Sequence, residues 1–276
     1  MRKSHIGISS VVALAILGMI LLGKRSEALP VLMWNPQNLT SEIVAGESTS
    51  TVISFSSSQK LIDALVHVSR ELDGIITVTP ASLGTVPPGQ TVYLTVKMNT
   101  AATVRPSSLQ GFISLQRKSP FISINYGSPL QVDMKIKWPL FSAPDGAYNI
   151  SYPPILSPSF DPEYQVLSLN TQKPNELETE TTGILVSQVS NSEDLSVADF
   201  YDGDPGTDLV GQSLGAFSTG TLPNGITYYR FDPAVTLGGA AIVIVPLPGE
   251  FLEIQDKGAS FQDNGIFLDI LNTLSF

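Results

Sequence analysis

The chain has 276 residues, no cysteine, and 15 Lys+Arg against 25 Asp+Glu, a formal charge of −10. Its 42% hydrophobic and 14% charged content excludes a disordered acidic chain, which would lack the apolar area to offset its ordering entropy. The absence of cysteine excludes thiolate nucleophiles, iron–sulfur ligation and thiolate zinc sites. The acidity argues against nucleic acid, whose phosphates need clustered Lys and Arg.

The first 28 residues differ from the rest. Arg2 and Lys3 precede an uncharged run from Ile6 to Gly23, then Lys24-Arg25 and Ser26-Glu27-Ala28. Small residues at Ser26 and Ala28 fit a secretory signal peptide cut after Ala28. The run also reaches the lower limit of a membrane-spanning helix, so an uncleaved anchor is the alternative. Either way the body is expected to be exported, to the periplasm, the cell surface or the medium. Membrane contact is expected only through residues 6–23, and only without cleavage.

Twenty prolines and 22 glycines spread along the chain favour short strands joined by turns over a helical bundle. Residues 29–138 read as successive strands. Thr51, Ile53 and Phe55 alternate, as do Val92, Leu94, Val96 and Met98; Ile75–Thr79, Gly111–Leu115 and Leu130–Ile136 continue the series. Leu61–Leu72 fits both a helical stripe and a strand face, and its β-branched content favours the strand.

Ile76-Thr77-Val78-Thr79-Pro80, followed by Val86-Pro87-Pro88-Gly89-Gln90-Thr91-Val92-Tyr93-Leu94-Thr95-Val96, resembles the core of bacterial immunoglobulin-like modules. The resemblance covers about residues 32–138 and implies a β-sandwich without catalytic residues. The Cys…Trp…Cys of antibody domains is missing.

Six prolines between Pro139 and Pro162 predict an extended connector. Charge changes across it. Residues 29–138 hold 8 basic and 6 acidic residues, a balance of +2, whereas residues 139–276 hold 3 and 18, a balance of −15. Residues 163–276 are expected to form a second, acidic β-sandwich. Its candidate strands are Tyr164–Leu169, Gly183–Val189, Leu195–Tyr201, Ile226–Phe231, Ala240–Val245, Phe251–Ile254 and Gly265–Ile270. The expected fold class is thus all-β, with two β-sandwich (immunoglobulin-like) domains after the leader.

Little chemistry is on offer. The exported body keeps one histidine, His67, between Val66 and Val68, and a lone histidine without a nucleophile motif reads as structural or surface. Thr236-Leu237-Gly238-Gly239 lacks the lysine of a phosphate loop. Glu176, Glu178 and Glu180 alternate as one exposed strand face. Asp202, Asp204 and Asp208 stand at positions one, three and seven of an acidic loop, where oxygen ligands of a calcium ion could sit. The same loop also reads as a solvated hairpin, because Thr207 and Ser213 replace the turn glycine and closing glutamate of an EF-hand. No catalytic or cofactor-binding residue is singled out, and calcium is the single candidate cofactor.

The expected role is a non-enzymatic structural or adhesive protein of the cell surface or envelope, with a protein or glycan partner. A secreted glycan hydrolase using paired carboxylates of the second half is the first alternative. A two-domain periplasmic chaperone is the second.

Overall fold

A computed structural model of the chain describes residues 29–118, 123–171, 183–203, 217–231, 241–256 and 265–276. These residues are all-β, arranged in several sheets, with two short α-helices. They fall into two compact units. One takes the described residues up to Thr40 with Ser50–Lys97 and Gln110–Asp133. The other takes Ser41–Thr49, Met98–Leu109 and Met134–Phe276.

The chain opens with β1 (Leu32–Asn35), β2 (Asn38–Val44), β3 (Ser48–Ser57), β4 (Leu61–Val68), β5 (Ile76–Thr79), β6 (Ser82–Val86), β7 (Val92–Asn99), β8 (Ser107–Lys118) and β9 (Ser123–Lys137). These make a four-stranded sheet in the order β1-β3-β7-β5 and a five-stranded sheet in the order β2-β9-β8-β4-β6. Alternation drives the burial: Leu94, Val96 and Met98 of β7 are buried, while Tyr93, Thr95 and Lys97 between them are exposed. Trp34 packs on Phe55 at 5.2 Å between ring centroids, and its indole N–H donates to the Ser128 carbonyl at 3.0 Å. That bond satisfies the one polar group of a buried indole. The ambiguous segment after Leu61 is a strand through Val68, closed by a 3-10 turn at Arg70–Leu72.

The remaining elements are β10 (Leu140–Ser142), β11 (Asn149–Ser151), β12 (Leu156–Asp161), β13 (Val166–Thr171), β14 (Gly183–Ser190), α1 (Val197–Gly203), β15 (Ser218–Thr221), β16 (Thr227–Phe231), β17 (Ala241–Leu247), β18 (Glu250–Asp256) and α2 (Ile266–Leu271). Seven of the strands form one antiparallel sheet, β12-β13-β14-β18-β17-β16-β15. Its register places Leu167, Val186, Ile254 and Val243 in one row, and Leu185, Gln255 and Ile242 in the neighbouring row on the opposite face. The first face meets the β10–β11 ribbon, where Phe141 packs on Phe160 at 5.5 Å. The second meets α1.

Three expectations are corrected. Leu195–Tyr201, read as a strand, is mostly α1. The Ser196 hydroxyl accepts from the Asp199 N–H at 3.1 Å, an N-cap bond, and donates to the Asp199 carboxylate at 2.6 Å. Val197, Phe200 and Tyr201 then fall on one buried stripe at helical spacing. Gly265–Ile270, also read as a strand, enters α2, which buries Phe267, Ile270 and Leu271 and exposes Leu268. In the second half the helical period outweighs the strand-forming residue types. The proline-rich stretch 139–162, read as a connector, carries β10, β11 and β12. Five of its prolines lie outside these strands, and Pro158 lies on the edge strand β12, where a missing N–H costs no ladder bond.

Candidate functional site

The chemistry-bearing groups of the second unit gather around α1. The helix lays Val197, Phe200 and Tyr201 on Phe231, Ile242, Ile244 and Phe251, with Val189 and Tyr229 at the margin. Phe200 meets Phe251 edge-on at 4.9 Å and Tyr201 at 5.2 Å. Edge-to-face geometry favours such pairs beyond their buried area.

One carboxylate stands inside this aromatic cluster. Glu253 lies on β18, the middle strand of the sheet, and is buried. The Tyr201 hydroxyl donates to its Oε2 at 3.1 Å, and the Gln255 side-chain amide donates to Oε1. Burial pushes the Tyr201 phenol well above the usual tyrosine range, and the Glu253 charge and their hydrogen bond add to the shift. A buried charge without such donors would cost far more than the pair contributes. The second buried acid of this strand, Asp256, is three positions on and faces the other way. The two acids therefore do not face each other across a cleft.

Beside α1 an open cleft of about 430 Å³ is lined by Ser190, Asn191, Glu193, Leu195, Asp199 and Phe200. Asn191 fixes its wall. The side-chain amide of this buried residue donates to the Leu195 carbonyl and accepts the Leu195 N–H, both at 3.0 Å. Its backbone N–H donates to the Gly249 carbonyl at 2.9 Å. The cleft thus offers two carboxylates, Glu193 and Asp199, on a pinned loop, and one of them is occupied by Ser196.

Of the sequence-derived residues, Asp202 falls in the last turn of α1. Asp204 and Asp208 lie outside the described residues, as do Glu176, Glu178, Glu180 and Thr236–Gly239. Among the described residues no group of three or more His, Asp or Glu is placed to hold a metal. His67 is exposed on β4, opposite Ser114 of β8. Sequence reasoning missed the Glu253–Tyr201 pair. Its signal was a single acid within the apolar run Phe251-Leu252-Glu253-Ile254, which a strand buried on both faces must satisfy internally.

No protein-family model and no curated protein matches the chain. Solved structures match at low identity. A family 123 glycoside hydrolase from Clostridium perfringens is 9% identical with a TM-score of 0.28, over 37% of this chain and 23% of that one. The sialic acid binding region of a Streptococcus sanguinis SK1 adhesin is 6% identical with a TM-score of 0.29, over 52% and 44%. The CupB2 chaperone of Pseudomonas aeruginosa is 12% identical with a TM-score of 0.28, over 81% and 100%. The chain thus spans about a quarter of the hydrolase's length and under half of the adhesin region's. Among the described residues no helix is long and apolar enough to cross a membrane.

Proposed function

We propose that this is an exported, non-enzymatic structural or adhesive protein of the cell surface or envelope, with its recognition face on the first unit. Export is supported by the basic n-region, the uncharged run 6–23 and the small residues at Ser26 and Ala28. The observation that carries the binding reading is the bare outer face of the β1-β3-β7-β5 sheet. Hydrogen bonds from Gly89 N to Ser57 O at 2.8 Å and from Thr100 N to Glu47 O at 3.2 Å bracket β3 and β7 as an antiparallel pair. The outward Val52 of β3 therefore lies on the same face as the outward Tyr93 and Thr95 of β7. Val52 and Tyr93 are 61% and 67% exposed. One exposed tyrosine with an exposed valine on the same face suits a sugar ring or an apolar protein surface.

A glycan array probed with the full chain tests this. Binding to a subset of glycans, lost in Tyr93→Ala and Val52→Asp with the fold intact, is the expected result. Turnover of chromogenic glycosides that Glu253→Gln abolishes would overturn it in favour of a hydrolase.

A further inference from the structure

The end of the first unit at which the described chain begins is an exposed apolar patch. Leu29, Val31, Met33, Ile62 and Ile124 are each between 40% and 65% exposed. Backbone contacts bring Val31, Ile62 and the Tyr126–Gly127 segment of β9 to this end. Ser58 N donates to the Val31 carbonyl at 3.0 Å, and Val31 N donates to Ser58 Oγ at 2.9 Å. The Tyr126 hydroxyl donates to the Ile62 carbonyl at 2.7 Å and accepts the Ile62 N–H at 3.2 Å, across a bulge where Asp63 adopts φ 51°. Gly127, at φ 60°, brings β9 against the start of β1. A Cβ there would lie 2.5 Å from the Pro30 carbonyl oxygen and 2.9 Å from Leu32 Cγ. Ile124 precedes this contact by three residues on the same strand.

The charge around the patch runs against the rest of the protein. Lys60 and Arg117 are exposed at its edge, with Asp63 as the neighbouring acid. The whole chain carries −10, and residues 139–276 carry −15. An anionic surface therefore repels most of this molecule and attracts this end. In the sequence the patch follows Lys24-Arg25 and the uncharged run 6–23. The five residues 24–28 span at most about 18 Å, so an uncleaved leader would hold the patch close to a bilayer.

We propose that this end docks on an anionic phospholipid surface, with Leu29, Val31, Met33, Ile62 and Ile124 at the headgroup boundary and Lys60 and Arg117 on lipid phosphates. Apolar side chains gain by leaving water at that depth, and nearby cations add attraction that salt weakens. Membrane contact then extends beyond residues 6–23.

The lack of cysteine makes the test direct. Single substitutions Val31→Cys, Ile124→Cys and, as a reference on the second unit, Tyr164→Cys take an environment-sensitive fluorophore in the full-length protein. Vesicles of phosphatidylethanolamine with phosphatidylglycerol are compared with vesicles of phosphatidylcholine. With phosphatidylglycerol, emission at positions 31 and 124 shifts to the blue and is quenched by lipid-borne nitroxide, and position 164 stays in water. Lys60→Glu with Arg117→Glu lowers the vesicle binding constant by more than roughly fivefold for each cation reversed, and Tyr93→Ala changes nothing. Labels at 31 and 124 as wet as at 164 would overturn the proposal. So would quenching that ignores the charge reversal. Protection of both labels without any vesicle would also overturn it, assigning the patch to a second copy of the chain.

Discussion

The four-stranded sheet of the first unit and the seven-stranded sheet of the second meet the same demand, burial of apolar side chains, in different ways. The first covers one face and leaves the other to solvent, so β7 alternates strictly between buried and exposed residues. The second covers both faces at its centre, so Ala241–Val245 of β17 and Phe251–Ile254 of β18 are buried throughout. On the bare face the hydroxyls of Ser56 and Thr95 can use water. On the covered face a polar group must find a partner within the fold, and Glu253 finds Tyr201 and Gln255. A one-sided sheet can therefore evolve a recognition surface freely, whereas a two-sided sheet constrains every residue it holds.

Substitutions should separate the two sheets by size of effect. Phe251→Ala removes the ring that Phe200 and Tyr201 pack on, and should cost about 3–5 kcal/mol by denaturant unfolding. A loss below about 1 kcal/mol would mean that α1 does not seal the sheet. Tyr201→Phe leaves a buried carboxylate short of one donor, and about 1–3 kcal/mol of destabilisation is expected. The same variant has a signature in pH. Because the Tyr201 pKa is raised from the ordinary 10.0, the unfolded chain releases that proton first, and native stability falls as pH rises above that value. Tyr201→Phe should flatten this alkaline decline, and an unchanged slope would show that other groups cause it.

A smaller effect is expected at Asp145. Hydrogen bonds from the Ala147 N–H at 3.0 Å and from Gln188 Nε2 at 3.0 Å hold its carboxyl below the usual range. Its contribution is complete above the ordinary aspartate value and is lost as pH falls through the lowered one. Asp145→Ala should shrink the acid-side slope of the unfolding midpoint slightly. An unaltered slope would mean that the ribbon does not depend on this contact. The smallest effect belongs to the bare face, where Tyr93→Ala should stay within about 0.5 kcal/mol of the parent. A larger loss would show that the exposed ring supports the fold and would weaken its assignment to binding.

Legibility in the sequence follows the same division. Val92, Leu94, Val96 and Met98 announce their strand because polar residues separate them, and the strand after Leu61 was readable from its β-branched content. Ser196 and Asp199 signalled a helix start, but Leu195–Tyr201 was read by residue type rather than by cap. The seven residues of α1 are too few for periodicity to outweigh that reading. Phe267, Ile270 and Leu271 of α2 pose the same difficulty, since a single helical turn and a short strand share their apolar content.

Composition and order alone set the all-β class, the charge step between +2 and −15, the missing thiol chemistry and the leader-like first 28 residues. These depend on counts and on spacing along the chain, which folding does not alter. Tertiary structure decided what depends on residues far apart. It placed Tyr201 on Glu253 across 52 positions, Tyr126 on Ile62 across 64, and Gly127 against Pro30. Each of these contacts joins strands or a helix that meet only once the sheets have paired. The apolar run around Glu253 hints at its burial, but its partner, like the exposure of Val31 and Ile124, is a property of that pairing.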